Sequence, residues 1–174
     1  MKIGFIGLGN VGGKLAGSLL RNGFDLTVRD LNQEIASPFL DNGAKWGESP
    51  KKIAETVELI ITCLPNPEAS ATVMEADDGV LAGISHGKVW AEMSTTDEEE
   101  VKRLGKMVHE LGGEALDCPV SGGCHRAATG NISIFVGGER SSFEKILPVM
   151  KVLGRRILHT GALGSASVLK VMTN

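Results

Sequence analysis

Ile3-Gly4-Phe5-Ile6-Gly7-Leu8-Gly9-Asn10-Val11-Gly12 is the stretch that decides the fold. Its apolar start reads as a short buried strand. The glycines follow as G-x-G-x-x-G at Gly7, Gly9 and Gly12, and Leu15, Ala16, Leu19 and Leu20 then recur at helical spacing. Strand, glycine turn and helix in that order form a cradle for a dinucleotide pyrophosphate. The first glycine permits the tight turn, the second lets backbone amides approach the phosphates, and the third lets the helix pack on its strand. The unpaired N–H groups and the positive end of the helix dipole then face the anion. Gly7, Leu8, Gly9, Asn10, Val11 and Gly12 are therefore candidate cofactor contacts.

An acid lies at the distance this motif requires. Phe24-Asp25-Leu26-Thr27-Val28-Arg29-Asp30 reads as the second strand and delivers Asp30 at its C-terminal end. A carboxylate there accepts hydrogen bonds from the ribose 2′- and 3′-hydroxyls and repels a 2′-phosphate. Leu31 follows it, with no arginine to grip such a phosphate, so NAD is expected over NADP. Arg29 precedes the acid and should point to the opposite face of the strand.

Outward from this motif, 174 residues suit one α/β domain with a sizeable core. The net charge of −3 leaves no nucleic-acid footprint, and tyrosine is absent, which argues against aromatic base stacking. No apolar run approaches the ~20 residues of a membrane span. No basic, apolar and small-residue leader precedes the first strand. Three cysteines, Cys63, Cys118 and Cys124, sit in apolar or glycine-rich contexts and fit a reduced, cytoplasmic protein.

Helical and strand patterns alternate along the rest of the chain. Asn32 to Leu40 reads as a helix weakened by Pro38. Ala44 to Trp46 reads as a short extended piece, and Ser49-Pro50 as a helix start. Glu58 to Leu64 is a continuous apolar run suited to a strand covered on both faces. A helix follows from Glu68 to Glu75, then a strand from Lys88 to Met93. Thr96 with Glu99 forms a capping box for a charged helix reaching about His109. Strands are expected at Glu114–Asp117, Asn131–Val136 and Arg156–His159, with a helix from Ser141 to Val152. This alternation predicts an α/β, Rossmann-like, doubly wound and mostly parallel sheet with helices on both faces. The loops at 7–12, 30, 64–67, 94–96 and 119–123 all follow strands, so they should converge on one site.

Two further stretches carry chemistry. In Asp117-Cys118-Pro119-Val120-Ser121-Gly122-Gly123, paired glycines beside a serine expose amides and a hydroxyl, which together suit a carboxylate. A flexible turn before a helix is the plainer reading. Past Gly164 the chain reads as a helix in which Lys170 and Asn174 share one face. An amine among small apolar neighbours is a candidate proton donor or acceptor. Cys118, Cys124 and His125 lack both the spacing and the fourth ligand of a zinc site, so no metal is expected.

Together these motifs resemble the β-hydroxyacid dehydrogenase family, which includes 3-hydroxyisobutyrate dehydrogenase. The resemblance covers the whole chain. It rests on the glycine turn, Asp30, Cys63-Leu64-Pro65-Asn66, Met93-Ser94-Thr95, the 117–123 stretch with Gly130, and the segment through Lys170 to Asn174. It implies that Leu64 and Pro65 line the adenosine and ribose side of the coenzyme and that Thr95 lies near the nicotinamide. Ser121, Gly122 and Gly123 would bind the substrate carboxylate. Lys170 would be the general acid/base on the substrate hydroxyl, helped by Asn174. The substrate class would be a small hydroxy acid, with tartronate semialdehyde or glyoxylate reduction as a variant. A related imine reductase is the less fitting relative, because those usually place another residue at position 170.

Some positions depart from the family pattern: Cys118 stands where alanine is usual, Cys124-His125 follow the glycine pair, and Ala166 replaces a common glycine. Family members also continue into an all-helical domain that mediates dimerisation. On this reading residues 1–163 are the dinucleotide-binding domain and 164–174 begin the interdomain helix. The all-α domain is absent, and the chain is expected to bind NAD while turning over poorly. A non-catalytic NAD-binding or interaction module on the same fold is the alternative.

Overall fold

A computed structural model describes residues 1–173. Its single mixed sheet begins with β1 (Lys2–Ile6), β2 (Asp25–Arg29), β3 (Lys45–Trp46), β4 (Leu59–Thr62), β5 (Val89–Glu92) and β6 (Glu114–Asp117). These six run in the order β3-β2-β1-β4-β5-β6 and every neighbouring pair is parallel. Parallel pairing requires a crossover between successive strands. The helices supply it: α1 (Asn10–Arg21), α2 (Ser37–Asp41), α3 (Pro50–Thr56), α4 (Pro67–Glu75) and α5 (Glu98–Glu110). The strand order reverses between β1 and β4, which opens a crevice beyond their carboxyl ends.

The alternation along each strand builds two cores. Ile3, Phe5, Leu59, Ile61 and Leu116 face one side, packed against Leu15 and Leu19 of α1 and Ile146, Met150 and Leu153 of a later helix. Ile6, Ile60, Trp90 and Ala115 face the other, against Ile53, Met74, Val101 and Leu104. Burial of both faces explains why β4 and β5 read as unbroken apolar runs.

Beyond β6 the sheet changes character. β7 (Val120–Ser121) continues the line of β6, and both pair antiparallel with β8 (Ile132–Gly137) in one unbroken register. Pro119 interrupts the ladder because it has no N–H to give, yet its carbonyl still accepts from Phe135. β9 (Gly154–Gly161) pairs parallel with the far side of β8. Two helices, α6 (Gly123–Ala128) and α7 (Arg140–Leu153), connect this part, and α8 (Ser165–Thr173) ends it.

Four local readings need correction. The segment after Asp30 is a 3-10 turn, Gln33–Ala36, followed by α2, and Pro38 sits in the first turn of α2, where it weakens nothing. Asp97, not Thr96, caps α5: its carboxylate accepts from the Glu100 N–H at 2.8 Å, while Thr96 is buried. The short β7 and α6 carry too few residues to show a period in the sequence. Ser49 does cap α3 as expected, accepting from the Lys52 N–H at 3.1 Å.

Candidate active site

The glycine turn sits at the head of the crevice, and its three glycines do different work. Gly7 has φ +104°, and a Cβ there would overlap the Cys63 carbonyl oxygen. A Cβ on Gly12 would overlap the Gly7 carbonyl oxygen. The fold itself therefore requires both residues. Gly9 differs: its φ is an ordinary −67°, and nothing lies within 4 Å of where a Cβ would stand. As the N-cap of α1 it offers no side chain, and the first turn of that helix holds no acid. Serine, asparagine or aspartate would normally satisfy those amides. The bare helix end facing open space is what a pyrophosphate needs, so these residues fit a dinucleotide.

Asp30 stands beside this turn. Its Oδ2 accepts from the Leu8 N–H at 2.8 Å and its Oδ1 from the Asn32 N–H at 3.0 Å, so the acid is fixed against the glycine loop. Arg29 is held away from it. The guanidinium donates to the carbonyls of Gly47 and Glu48 at 2.9 and 2.7 Å and lies over the Trp46 ring. Leu31 projects fully into solvent.

Leu64 leans on the glycine turn, with Cδ2 3.1 Å from where a Cβ on Gly7 would lie. Its N–H donates to Ser94 Oγ at 2.7 Å, and the Ser94 N–H donates to Glu92 Oε1 at 2.9 Å. This chain joins the 64–67 loop to the 94–96 loop, leaving Pro65 and Thr95 exposed at the crest. Sequence reasoning missed Glu92. It is buried beneath both loops, and that burial raises its carboxyl pKa. Oε2 and the nearby Ser70 Oγ have no partner among the described residues. Burial, followed by the field of Glu92, pushes the Cys63 thiol up to about 12, which removes it as a nucleophile. Burial does the same to Cys118, reinforced by Asp117 and Glu92.

At the other end of the crest, Ser121 closes β7 and the glycine pair opens α6. Gly122 and Gly123 have φ +132° and +75°, and both are exposed. Against α1, α6 is fixed by Arg21, whose guanidinium donates to the Ala128 carbonyl at 2.9 Å. The Ser121–Gly123 loop is thus tied to α1.

Asp117, buried at the end of β6, positions α8. Its Oδ1 accepts from the Gly164 N–H at 2.8 Å, and its Oδ2 from the Ser167 N–H and hydroxyl at 2.8 and 2.9 Å. A carboxylate on the N-terminal amides of α8 meets the favourable end of its dipole. Ser167 and Ala166 face inward, and half-buried Lys170 follows one turn later on the same side. Thr173 lines a recess of about 600 Å³ together with Ser121 and Ser133, so the helix carrying Lys170 overhangs the end of β7. Asn174 lies outside the described residues. The acid at position 117 was visible in the motif, but its grip on a helix 47 residues later was not.

The fold and crest define an NAD-binding domain of the Rossmann type. The family description "NAD binding domain of 6-phosphogluconate dehydrogenase" matches residues 2–161. The chain is 36% identical over 174 residues to 2-(hydroxymethyl)glutarate dehydrogenase of Eubacterium barkeri, covering all of this chain and 58% of that protein. It is 34% identical over 172 residues to the mitochondrial 3-hydroxyisobutyrate dehydrogenase of Rattus norvegicus, covering 99% of this chain and 51% of that one. The solved structure of Mycobacterium tuberculosis 3-hydroxyisobutyrate dehydrogenase with L-serine superposes with a TM-score of 0.93 at 27% identity, over 99% of this chain and 58% of that one. The chain belongs to the β-hydroxyacid dehydrogenase family, in the part that binds NAD, and spans little more than half the length of these relatives.

Proposed function

We propose that this chain is the coenzyme-binding part of an NAD-dependent dehydrogenase acting on a small 3-hydroxy acid of the 3-hydroxyisobutyrate kind. The observation that carries the reading is the position of α8, fixed by Asp117 so that the helix bearing Lys170 overhangs the Ser121 loop. Residues 1–163 form the dinucleotide-binding domain and 164–174 begin the helix that leads onward. When bound, the nicotinamide supplies a hydride acceptor or donor. Ser121 and the amides of Gly122 and Gly123 hold the substrate carboxylate. During oxidation Lys170 takes the hydroxyl proton, and during reduction it returns it, with Asn174 orienting the amine or the substrate. Gly7 to Gly12, Leu64, Pro65 and Thr95 hold the coenzyme. Asp30 selects NAD, because Arg29 is drawn off to the Gly47 and Glu48 carbonyls and Leu31 projects into solvent.

Three cysteines without disulfides, Cys63, Cys118 and Cys124, support a reducing compartment such as the cytoplasm. No helix among the described residues is long and apolar enough to cross a membrane. The parent enzyme assembles as a homo-oligomer through a helical region beyond this domain.

In the polypeptide that carries this domain, Lys170→Ala should lower kcat about 10³-fold and leave the NAD Kd within about twofold. Normal kcat in that variant rejects the role of Lys170. NADP binding as tight as NAD rejects the role of Asp30.

A further inference from the structure

A basic recess adjoins the carboxylate loop. Ser121 pairs with Ser133 across β7 and β8, and Ser133 pairs with Arg156 across β8 and β9. Paired positions put their side chains on the same face of a sheet, so two hydroxyls and a guanidinium form one row. Arg126 arrives from α6. Its Cδ lies 2.9 Å from where a Cβ on Gly122 would stand, so its stem packs beside that glycine. Arg126, Ser133 and Arg156 line a recess of about 450 Å³, together with Asn131 and Arg155. Ser133 and Arg156 also line the recess that contains Ser121 and Thr173, so the two share a wall.

None of these three arginines enters an ion pair among the described residues, although the chain as a whole is acidic. Guanidiniums gathered on one recess repel one another until an anion sits between them. Their planar forks match a carboxylate in two-point contact.

We propose that Arg126 and Arg156 form a second anion seat beside the Ser121 loop, so that the acid bound here carries two carboxylates. One rests on Ser121, Gly122 and Gly123, and the other lies between the arginines. This rests on the assignment of the Ser121 loop to the first carboxylate, and it narrows the substrate class from hydroxy monoacids to hydroxy diacids.

The test compares glutarate with pentanoate, which share a carbon count and differ in one carboxylate, by calorimetric titration of the chain saturated with NAD. Glutarate should bind about tenfold more tightly, the scale of one charge-assisted contact. Arg156→Gln and Arg126→Gln should each bring that ratio below about three, and Arg156→Lys should restore part of it. Equal affinities in the parent chain, or a ratio that survives both glutamine variants, overturn the proposal. 3-Phosphonopropanoate binding tighter than glutarate also overturns it, by making the seat a phosphate site. Ser121→Ala separates this proposal from the reading beneath it. If that change affects neither acid while the arginine variants abolish the glutarate advantage, the arginine seat stands and the Ser121 assignment falls. If neither acid binds, both fall.

Discussion

The two ends of the crest are built on different principles. At the coenzyme end, position is enforced by contact between backbones: Gly7 against Cys63 and Gly12 against Gly7 leave no room for a single added methyl. The partners there lie at the ends of β1, β2 and β4 and at the start of α1. At the end proposed to hold substrate, side chains do this work, chiefly one buried carboxylate. Asp117 holds α8 through three hydrogen bonds, beside the hydroxyl pair of Ser165 and Thr160 at 2.6 Å. The coenzyme end is therefore held by close backbone packing. The other end is held by side-chain hydrogen bonds to one acid.

Gly7→Ala attacks the first end most severely. Positive φ and a backbone overlap together should cost about 3 kcal/mol or more, read as a lowered melting temperature with loss of NAD binding. Asp117→Ala attacks the second end. It should cost about 2–3 kcal/mol, with faster hydrogen exchange confined to α8 and its contacts while the amides of α1 keep their protection. If both ends loosen equally, the contrast drawn here is wrong.

Gly9→Ala sharpens the comparison within one motif. Stability should stay within about 0.5 kcal/mol of the parent, because the added methyl meets open space. NAD affinity should fall about tenfold, because the pyrophosphate loses its close approach to the backbone. Unchanged NAD binding would mean that no phosphate lies there.

Glu92, between the two ends, links stability to pH. Burial raises its pKa in the folded chain, so the folded form keeps a proton that the unfolded chain releases above about pH 4.5. Its contribution is therefore full below the unfolded pKa and declines as pH rises toward the folded one. Glu92→Gln stays neutral throughout, so it should melt roughly 2–4 °C above the parent at pH 8 and match it near pH 4. A gain that is equal at both pH values rejects the protonated carboxyl. The smallest effect concerns the thiols. Iodoacetamide at pH 8 should label exposed Cys124 and spare Cys63 and Cys118, with NAD binding unchanged after labelling.

Sequence reading reached the first end well. The order of β1, the glycine turn and α1 lies within 20 residues, and Asp30 follows at a characteristic spacing, so hydrophobic period and glycine chemistry suffice. It placed β4 as well, since a strand buried on both faces reads as an apolar run. It failed on the cap of α5, where Thr96 and Asp97 are adjacent candidates and only backbone geometry chooses between them. It also gave no sign that β8 runs antiparallel to its neighbours, because strand direction leaves no mark on side-chain alternation.

What the amino-acid sequence carried alone was the order of strand, glycine turn and helix, because these are consecutive residues whose periods and missing Cβ atoms are legible locally. What only the tertiary structure decided was the company each substrate-side residue keeps: Asp117 with Ser167, and Ser121 with Ser133 and Arg156. Those partners are set by strand register and helix docking, which arise from packing the whole sheet and not from any local stretch of chain.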